Sequence, residues 1–108
     1  MNNIYELPKI QKIADTYGYD AQSRQCIEEM AELTQAINKY WRKALVNGTV
    51  PITKAGNVPV FPKEYDNLVE EIADVQIMLW QMAYLLNADV QPVIEQKLDR
   101  QLKRIEKL

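Results

Sequence analysis

The sequence predicts an all-α fold, a small domain like a four-helix bundle that oligomerises through its helices. Apolar residues recur at steps of three and four along most of the 108 residues, which is the spacing of amphipathic helices. Two of the three glycines and three of the five prolines fall within residues 47–67. Since both residue types interrupt helices, we expect a single helical domain over residues 1–108. In it, residues 47–67 form a long Gly/Pro loop insertion between the second and third helices.

Four helices are predicted from these patterns and from their end signals. Asp20 and Asp89 are suitable N-caps, and Gly18 is a typical residue to follow the end of a helix. Pro92 fits the first turn after Asp89. In chain order, the predicted helices cover about Ile4–Tyr17, Asp20–Val46, Leu68–Leu86 and Asp89–Leu108.

The predicted loop is unusual in its length. At roughly 20 residues it is longer than most connections within compact domains. Apolar residues on both sides of residues 54–57 favour a short hairpin there. The loop is either a surface excursion or a functional segment, such as a lid or an oligomer contact, and the sequence leaves both interpretations open.

One apolar stripe is predicted on each of the two central helices. On the second helix it consists of Cys26, Met30, Leu33, Ile37, Tyr40 and Ala44. On the third helix it consists of Leu68, Ile72, Val75, Leu79, Met82 and Leu86. The third helix carries further apolar residues outside its stripe, and a helix that is apolar nearly all round is buried by more than one neighbour. We therefore expect a homo-oligomer, at least a dimer, with an extensive helical interface.

Composition excludes several classes of site and partner. The chain has no His and a single Cys, which excludes Ser–His and Cys–His nucleophiles, histidine-ligated zinc and disulfide frameworks. A net charge of −2 and a pI near 5.1 argue against a general nucleic-acid binder. No apolar run reaches the length of about 18 residues that indicates a membrane span, and the first residues do not resemble a signal peptide. We expect a cytoplasmic protein with no nucleic-acid or membrane partner.

The most informative feature is a pattern repeated on the two central helices. Residues 27–33 and 69–75 both read apolar-Glu-Glu-apolar-Ala-acid-apolar. Residues three apart on a helix are neighbours, so each pattern directs two carboxylates to one spot beside the apolar stripe. The pairs are Glu29 with Glu32 and Glu71 with Asp74. If the helices pack side by side, all four carboxylates converge, whereas Glu28 points away.

Four carboxylates that meet require compensating positive charge. Oxygen ligands alone favour Mg²⁺, with Mn²⁺ as its substitute, over zinc, copper or iron. Mg²⁺ usually completes its coordination with water and substrate phosphates, so such a site suits an anionic substrate. A single Glu-x-x-Glu motif is, however, usually a solvated helix face. Two other interpretations stay open: a non-catalytic helical module that binds a basic partner, and a metal or nucleotide sensor without turnover.

The same residues carry a resemblance to a known family. The segment Glu28–Glu32 (EEMAE), followed by Glu71–Asp74 (EIAD), resembles the EExxE…ExxD signature of the all-α nucleoside triphosphate pyrophosphohydrolases. This is the MazG-like group, which is related to dimeric dUTPases. The resemblance covers about Ala21 to Arg104, and the Gly/Pro loop makes the gap between the two halves longer than is usual in the family.

The resemblance implies an activity, a metal and roles for the acidic residues. The activity is Mg²⁺-dependent hydrolysis of a (deoxy)nucleoside triphosphate to the monophosphate and pyrophosphate, a housekeeping reaction of the nucleotide pool. The implied Mg²⁺ ligands are Glu29, Glu32, Glu71 and Asp74. Glu32 is also our candidate general base. Glu28, the remaining signature residue, is the second catalytic candidate, although its outward direction favours a supporting role or an oligomer contact. The family also implies a homodimer or homotetramer.

Basic residues offer contacts for the triphosphate substrate. Lys39 continues the line of carboxylates about two turns beyond Glu32. Lys97 coincides with a lysine common in the family, and Arg100 lies on the same basic stripe of the last helix. This stripe either binds phosphate oxygens or an acidic neighbour, or is a solvated face favoured by the helix dipole. The preferred base and sugar do not follow from the sequence.

Overall fold

The computed structural model describes residues 7–47 and 61–108, and all regular structure within these ranges is helical. The helices are α1 (Pro8–Val46), α2 (Pro62–Leu85) and α3 (Gln91–Glu106). The predicted all-α class is therefore confirmed. The predicted hairpin around residues 54–57, and the predicted helix start at Ile4, lie outside the described residues.

Helix α1 unites the first two predicted helices into one element that is broken at Gly18. This glycine has φ 82° and ψ 169°, a conformation that is essentially restricted to glycine, and helical geometry resumes directly after it. Asp20 lies inside α1, where its backbone carbonyl accepts a hydrogen bond from the Ser23 hydroxyl at 2.9 Å. Only Gly18 is non-helical there, so the break falls where the sequence predicts it, but Asp20 is already helical and is not the N-cap of the following segment.

Helix α2 begins at Pro62, six residues before the predicted start at Leu68. Proline is favoured in the first turn because its fixed φ suits a helix and its missing N–H would be unpaired there. Residues 62–67 are thus helical, not part of the predicted loop. Helix α3 begins at Gln91, where the backbone N–H donates to the side chain of Asp89 at 3.4 Å.

Helices α1 and α2 form an antiparallel hairpin. Near one end, the Tyr84 hydroxyl donates to the Asp15 carboxylate at 2.8 Å. Towards the other end, the rings of Tyr40 and Phe61 meet edge to face, with centroids 6.1 Å apart. Because residue numbers rise along α1 as their partners fall along α2, the helices run in opposite directions.

The face that each helix buries differs from its predicted stripe. The buried apolar residues of the hairpin are Ile10, Ala14, Cys26, Ala36, Tyr40, Ala44, Val75, Met78 and Ala83. Several predicted core residues are instead exposed, namely Met30, Ile37, Ile72, Leu79 and Leu86. Small residues on the buried face let the two helices approach closely. The larger apolar side chains are left on a second face of the hairpin.

Helix α3 packs on neither of the other two helices. It has no buried residue, and none of its Cα atoms comes within 8 Å of a Cα atom of α1 or α2. Within one chain, the described helices therefore form a two-helix hairpin and a separate third helix, not a four-helix bundle. Among the described residues, no helix is both long and apolar enough to cross a membrane.

Candidate metal centre

The two repeated acidic patterns meet at the middle of the α1–α2 hairpin. Carboxylate oxygens of Glu29, Glu71 and Asp74 all lie within 4.8 Å of one another. Glu29 and Glu71 are half-buried, and Asp74 is exposed. Because Mg²⁺ binds oxygen at about 2.1 Å, a small adjustment of these side chains would let one cation contact all three.

The convergence follows from where the two glutamates lie along their helices. Glu29 is three residues after buried Cys26, and Glu71 is four residues before buried Val75. Both glutamates therefore continue the buried stripe of their helix and point towards the facing helix. Acidic side chains thus occupy interface positions that elsewhere along the hairpin hold mostly apolar residues, with the Gln22–Gln81 pair as an exception.

Only one of the two carboxylate oxygens of Glu29 has a hydrogen-bond partner. The Gln25 amide donates to Oε1 of Glu29 at 2.8 Å, whereas Oε2 is buried and has no hydrogen-bond partner. The hydrogen bond from Gln25 lowers the pKa of Glu29. Burial and the nearby carboxylates of Glu32 and Asp74 raise it by more, so the net shift is upward.

Glu71 also has a buried oxygen without a hydrogen-bond partner and a raised pKa, but no amide among the described residues donates to it. Its Oε2 is buried and unpartnered. Burial raises the pKa of Glu71 most, followed by the charges of Glu32, Asp74 and Glu29. Glu32 therefore acts on both half-buried glutamates, so all four predicted carboxylates belong to one electrostatic cluster, although Glu32 is not among the three whose oxygens converge.

The donor set of this cluster fits a hard divalent cation. Only carboxylate oxygens converge, and these are the ligands that Mg²⁺ and Mn²⁺ prefer. Two buried oxygens lack a hydrogen-bond donor, and either a cation or a proton would satisfy them. A cation also removes the mutual repulsion that raises both pKa values.

The other predicted site residues are more dispersed. Glu28 is exposed on α1, consistent with its predicted outward direction. Lys39 lines a cavity of about 250 Å³ on the hairpin. Lys97 and Arg100 are exposed on α3, so the structure does not bring them to the carboxylates within one chain.

Sequence reasoning missed three residues around this site. Gln25 is four residues before Glu29, a spacing that brings helical side chains together and was a usable signal. Lys63 and Asn67 line the same cavity as Lys39. Both residues fall in the predicted loop over residues 47–67, and the start of α2 at Pro62 places them on a helix instead.

Comparisons with known proteins add no relative. No family model, curated protein or solved structure matches the chain. The resemblance to the MazG-like family therefore depends on the signature residues alone.

Proposed function

We propose that the protein is a MazG-like nucleoside triphosphate pyrophosphohydrolase. It hydrolyses a (deoxy)nucleoside triphosphate to the monophosphate and pyrophosphate with Mg²⁺, and Mn²⁺ can substitute. The observation that carries the proposal is the convergence of Glu29, Glu71 and Asp74, with two buried carboxylate oxygens left unpartnered. The EExxE…ExxD signature connects this cluster to the choice of substrate.

In the proposed reaction, the four carboxylates divide their roles. Glu29, Glu71 and Asp74 would hold the cation, and Gln25 would orient Glu29 through their hydrogen bond. When bound, Mg²⁺ neutralises phosphate charge and makes water more acidic. Glu32 contributes to the same cluster and serves as a ligand and as the acceptor of the proton from the attacking water.

We further propose that the working form is a homodimer or homotetramer in which α3 is covered. The apolar stripe of α3 is exposed along its whole length, at Ile94, Leu98, Leu102 and Ile105, and it continues to Val90 just before the helix. The second apolar face of the hairpin is exposed as well, and exposed apolar faces of this kind are typical of interaction surfaces. In such an assembly, Lys97 and Arg100 can reach phosphate or an acidic neighbour that they do not reach within one chain.

The metal site and the activity are tested with one pair of variants. Glu71→Gln removes a charge from the cluster, and Glu70→Gln removes the same charge from the exposed neighbouring position. We expect millimolar Mg²⁺ to raise the Tm of the wild type and of Glu70→Gln by several degrees, because the cation binds the folded state only. We expect Glu71→Gln to lose this response and to lose at least about 100-fold in kcat/KM.

Turnover is measured as phosphate released by added pyrophosphatase over a panel of nucleoside triphosphates. Mg²⁺ stabilisation without turnover of any nucleotide would instead indicate the metal or nucleotide sensor. If Mg²⁺ stabilises neither the wild type nor Glu70→Gln, the acidic cluster is a solvated face, as expected for an interaction module. Full activity in Glu71→Gln would contradict the assignment of Glu71 as a ligand.

A further inference from the structure

A second feature lies on the same seam of the hairpin as the carboxylates. A cavity of about 250 Å³ is lined by Lys39 of α1 and by Lys63, Glu64 and Asn67 of α2. Asn67 is one helical turn before Glu71, and Lys39 is about two turns, or roughly 10 Å, beyond Glu32. Along α2, the cavity therefore lies about one helical turn from the carboxylate cluster.

The cavity has a positive lining, although the cluster beside it is negative. Glu64 is already paired with Lys43, at 3.8 Å, and this is the one ion pair among residues 7–47 and 61–108. Counting Lys43, three ammonium groups and one carboxylate lie at or next to the cavity, so their summed charge is positive. Residues 48–60, which connect the two helices, contain no Asp or Glu that would offset them.

The chemistry of the lining favours phosphate over a nucleobase. Two ammonium groups and an amide offer several hydrogen-bond donors, which match phosphate oxygens. Pockets for flat organic groups are lined mainly by apolar and aromatic residues, whereas none of the four residues here is apolar or aromatic and the apolar part of the surface comes from their methylene groups. A volume of about 250 Å³ is also several times the share of a water molecule, so it accommodates more than a single small ion.

We infer that this cavity binds the β- and γ-phosphates of the substrate, and hence the pyrophosphate product, next to the cation held by the carboxylates. Lys39 and Lys63 contact the phosphate oxygens, and Asn67 donates from its amide. The identity of the ligand rests on the proposed function, but pyrophosphate binding is measured without turnover. Because an α–β cleavage leaves two phosphates together, a positive cavity beside the metal holds the leaving group as its charge increases.

Calorimetric titration of pyrophosphate into the full chain in saturating Mg²⁺ tests the inference. The variant is Lys39→Gln/Lys63→Gln, and the matched control is Lys12→Gln/Lys103→Gln, which removes two exposed lysines elsewhere. We expect pyrophosphate affinity to fall at least tenfold in the cavity variant and to stay unchanged in the control. Equal affinity in wild type and cavity variant, or an equal loss in the control, would overturn the inference.

Two further measurements separate this inference from the proposed function. The Mg²⁺-induced rise in Tm should be the same in the cavity variant as in the wild type, which also shows that the variant folds. Lysine-dependent pyrophosphate binding without turnover of any nucleotide would support the cavity and contradict the enzyme. Turnover with unchanged KM and unchanged pyrophosphate inhibition in the cavity variant would support the enzyme and overturn the cavity.

Discussion

Gly18 determines the shape of α1 through its backbone alone. Its φ of 82° is left-handed, and a Cβ atom built there would meet no atom within 4 Å. Gly18→Ala is therefore expected to destabilise by strain rather than by a clash, by about 1–3 kcal/mol. Urea unfolding followed by circular dichroism measures this loss.

The sign of the Gly18 result is decisive. If α1 were one straight helix in solution, alanine would stabilise it by about 1 kcal/mol relative to glycine. Ala21→Gly, at an exposed position inside the helical part of α1, calibrates the helix-propensity effect in the same protein. A stabilised Gly18→Ala variant would contradict the break in the helix.

Glu29 and Glu71 make the stability of the metal-free protein depend on pH. Their pKa values are raised from 4.5 in the folded chain, so the folded state binds more protons than the unfolded state above pH 4.5. The contribution of these two glutamates to stability is therefore fully present below that pH and is lost as pH rises through their raised pKa values. We expect the Tm in a chelator to fall on this upward titration.

Mg²⁺ should reverse this pH dependence, because the cation binds the deprotonated carboxylates. The Tm gain from Mg²⁺ is expected to grow as pH rises over the same interval. Glu71→Gln removes one of the two titrating groups and should flatten the profile in the chelator, whereas Glu70→Gln should keep it. A Tm in chelator that rises with pH throughout would disprove the upward shifts.

At the scale of the helices, a buried amide pair fixes how α1 and α2 align. The Gln22 amide donates to Oε1 of Gln81 at 2.7 Å, and Gln81 is 1% exposed. We expect Gln22→Leu to destabilise by about 1–3 kcal/mol, because it leaves a buried acceptor unpaired. Urea unfolding of the single and double variants gives the coupling between the two residues.

The double variant Gln22→Leu/Gln81→Met should lose less than the two single variants together, since no buried polar group is then left alone. Additive losses would show that the amides do not form a pair. Asp15→Asn tests a more exposed hydrogen bond of the hairpin, the one that Tyr84 donates to Asp15, for comparison with the buried pair.

Helix existence could be predicted from the sequence, whereas the face that each helix buries could not. The steps of three and four identified the helical regions, and glycine and proline identified their interruptions. The third predicted helix is apolar on two faces, however, and periodicity does not say which face meets α1. The pattern therefore predicts Ile72 and Leu79 in the core, but both are exposed, and Met78 is buried instead.

At the scale of the whole molecule, the acidic cluster was predictable because it is repeated. A single Glu-x-x-Glu carries little information, but the same pattern on two helices that pack together restricts all four carboxylates to one place. The cavity was not predictable, since Lys63 and Asn67 join it only when α2 begins at Pro62. Pro62 is itself a signal for a helix start, but three prolines fall within residues 47–67 and the pattern does not say which of them begins the helix.

Helix α3 connects the fold to the proposed assembly. It has an apolar stripe and a polar opposite face but covers nothing within its own chain, and Leu98, at the middle of the stripe, is 53% exposed. Burying a leucine against a second copy contributes about 1.5–3 kcal/mol, and a charge there reverses that gain. We therefore expect Leu98→Glu to weaken self-association at least tenfold.

Light scattering coupled to size-exclusion chromatography, over a range of protein concentrations, measures this change. Gln96→Glu adds the same charge on the opposite face of α3 and should leave the oligomer intact. If the wild type is a monomer at every concentration, the proposed oligomer is wrong. If Leu98→Glu also loses turnover while its Mg²⁺ response persists, the site needs a residue from a second chain, and Lys97 and Arg100 on the same helix are the first to substitute.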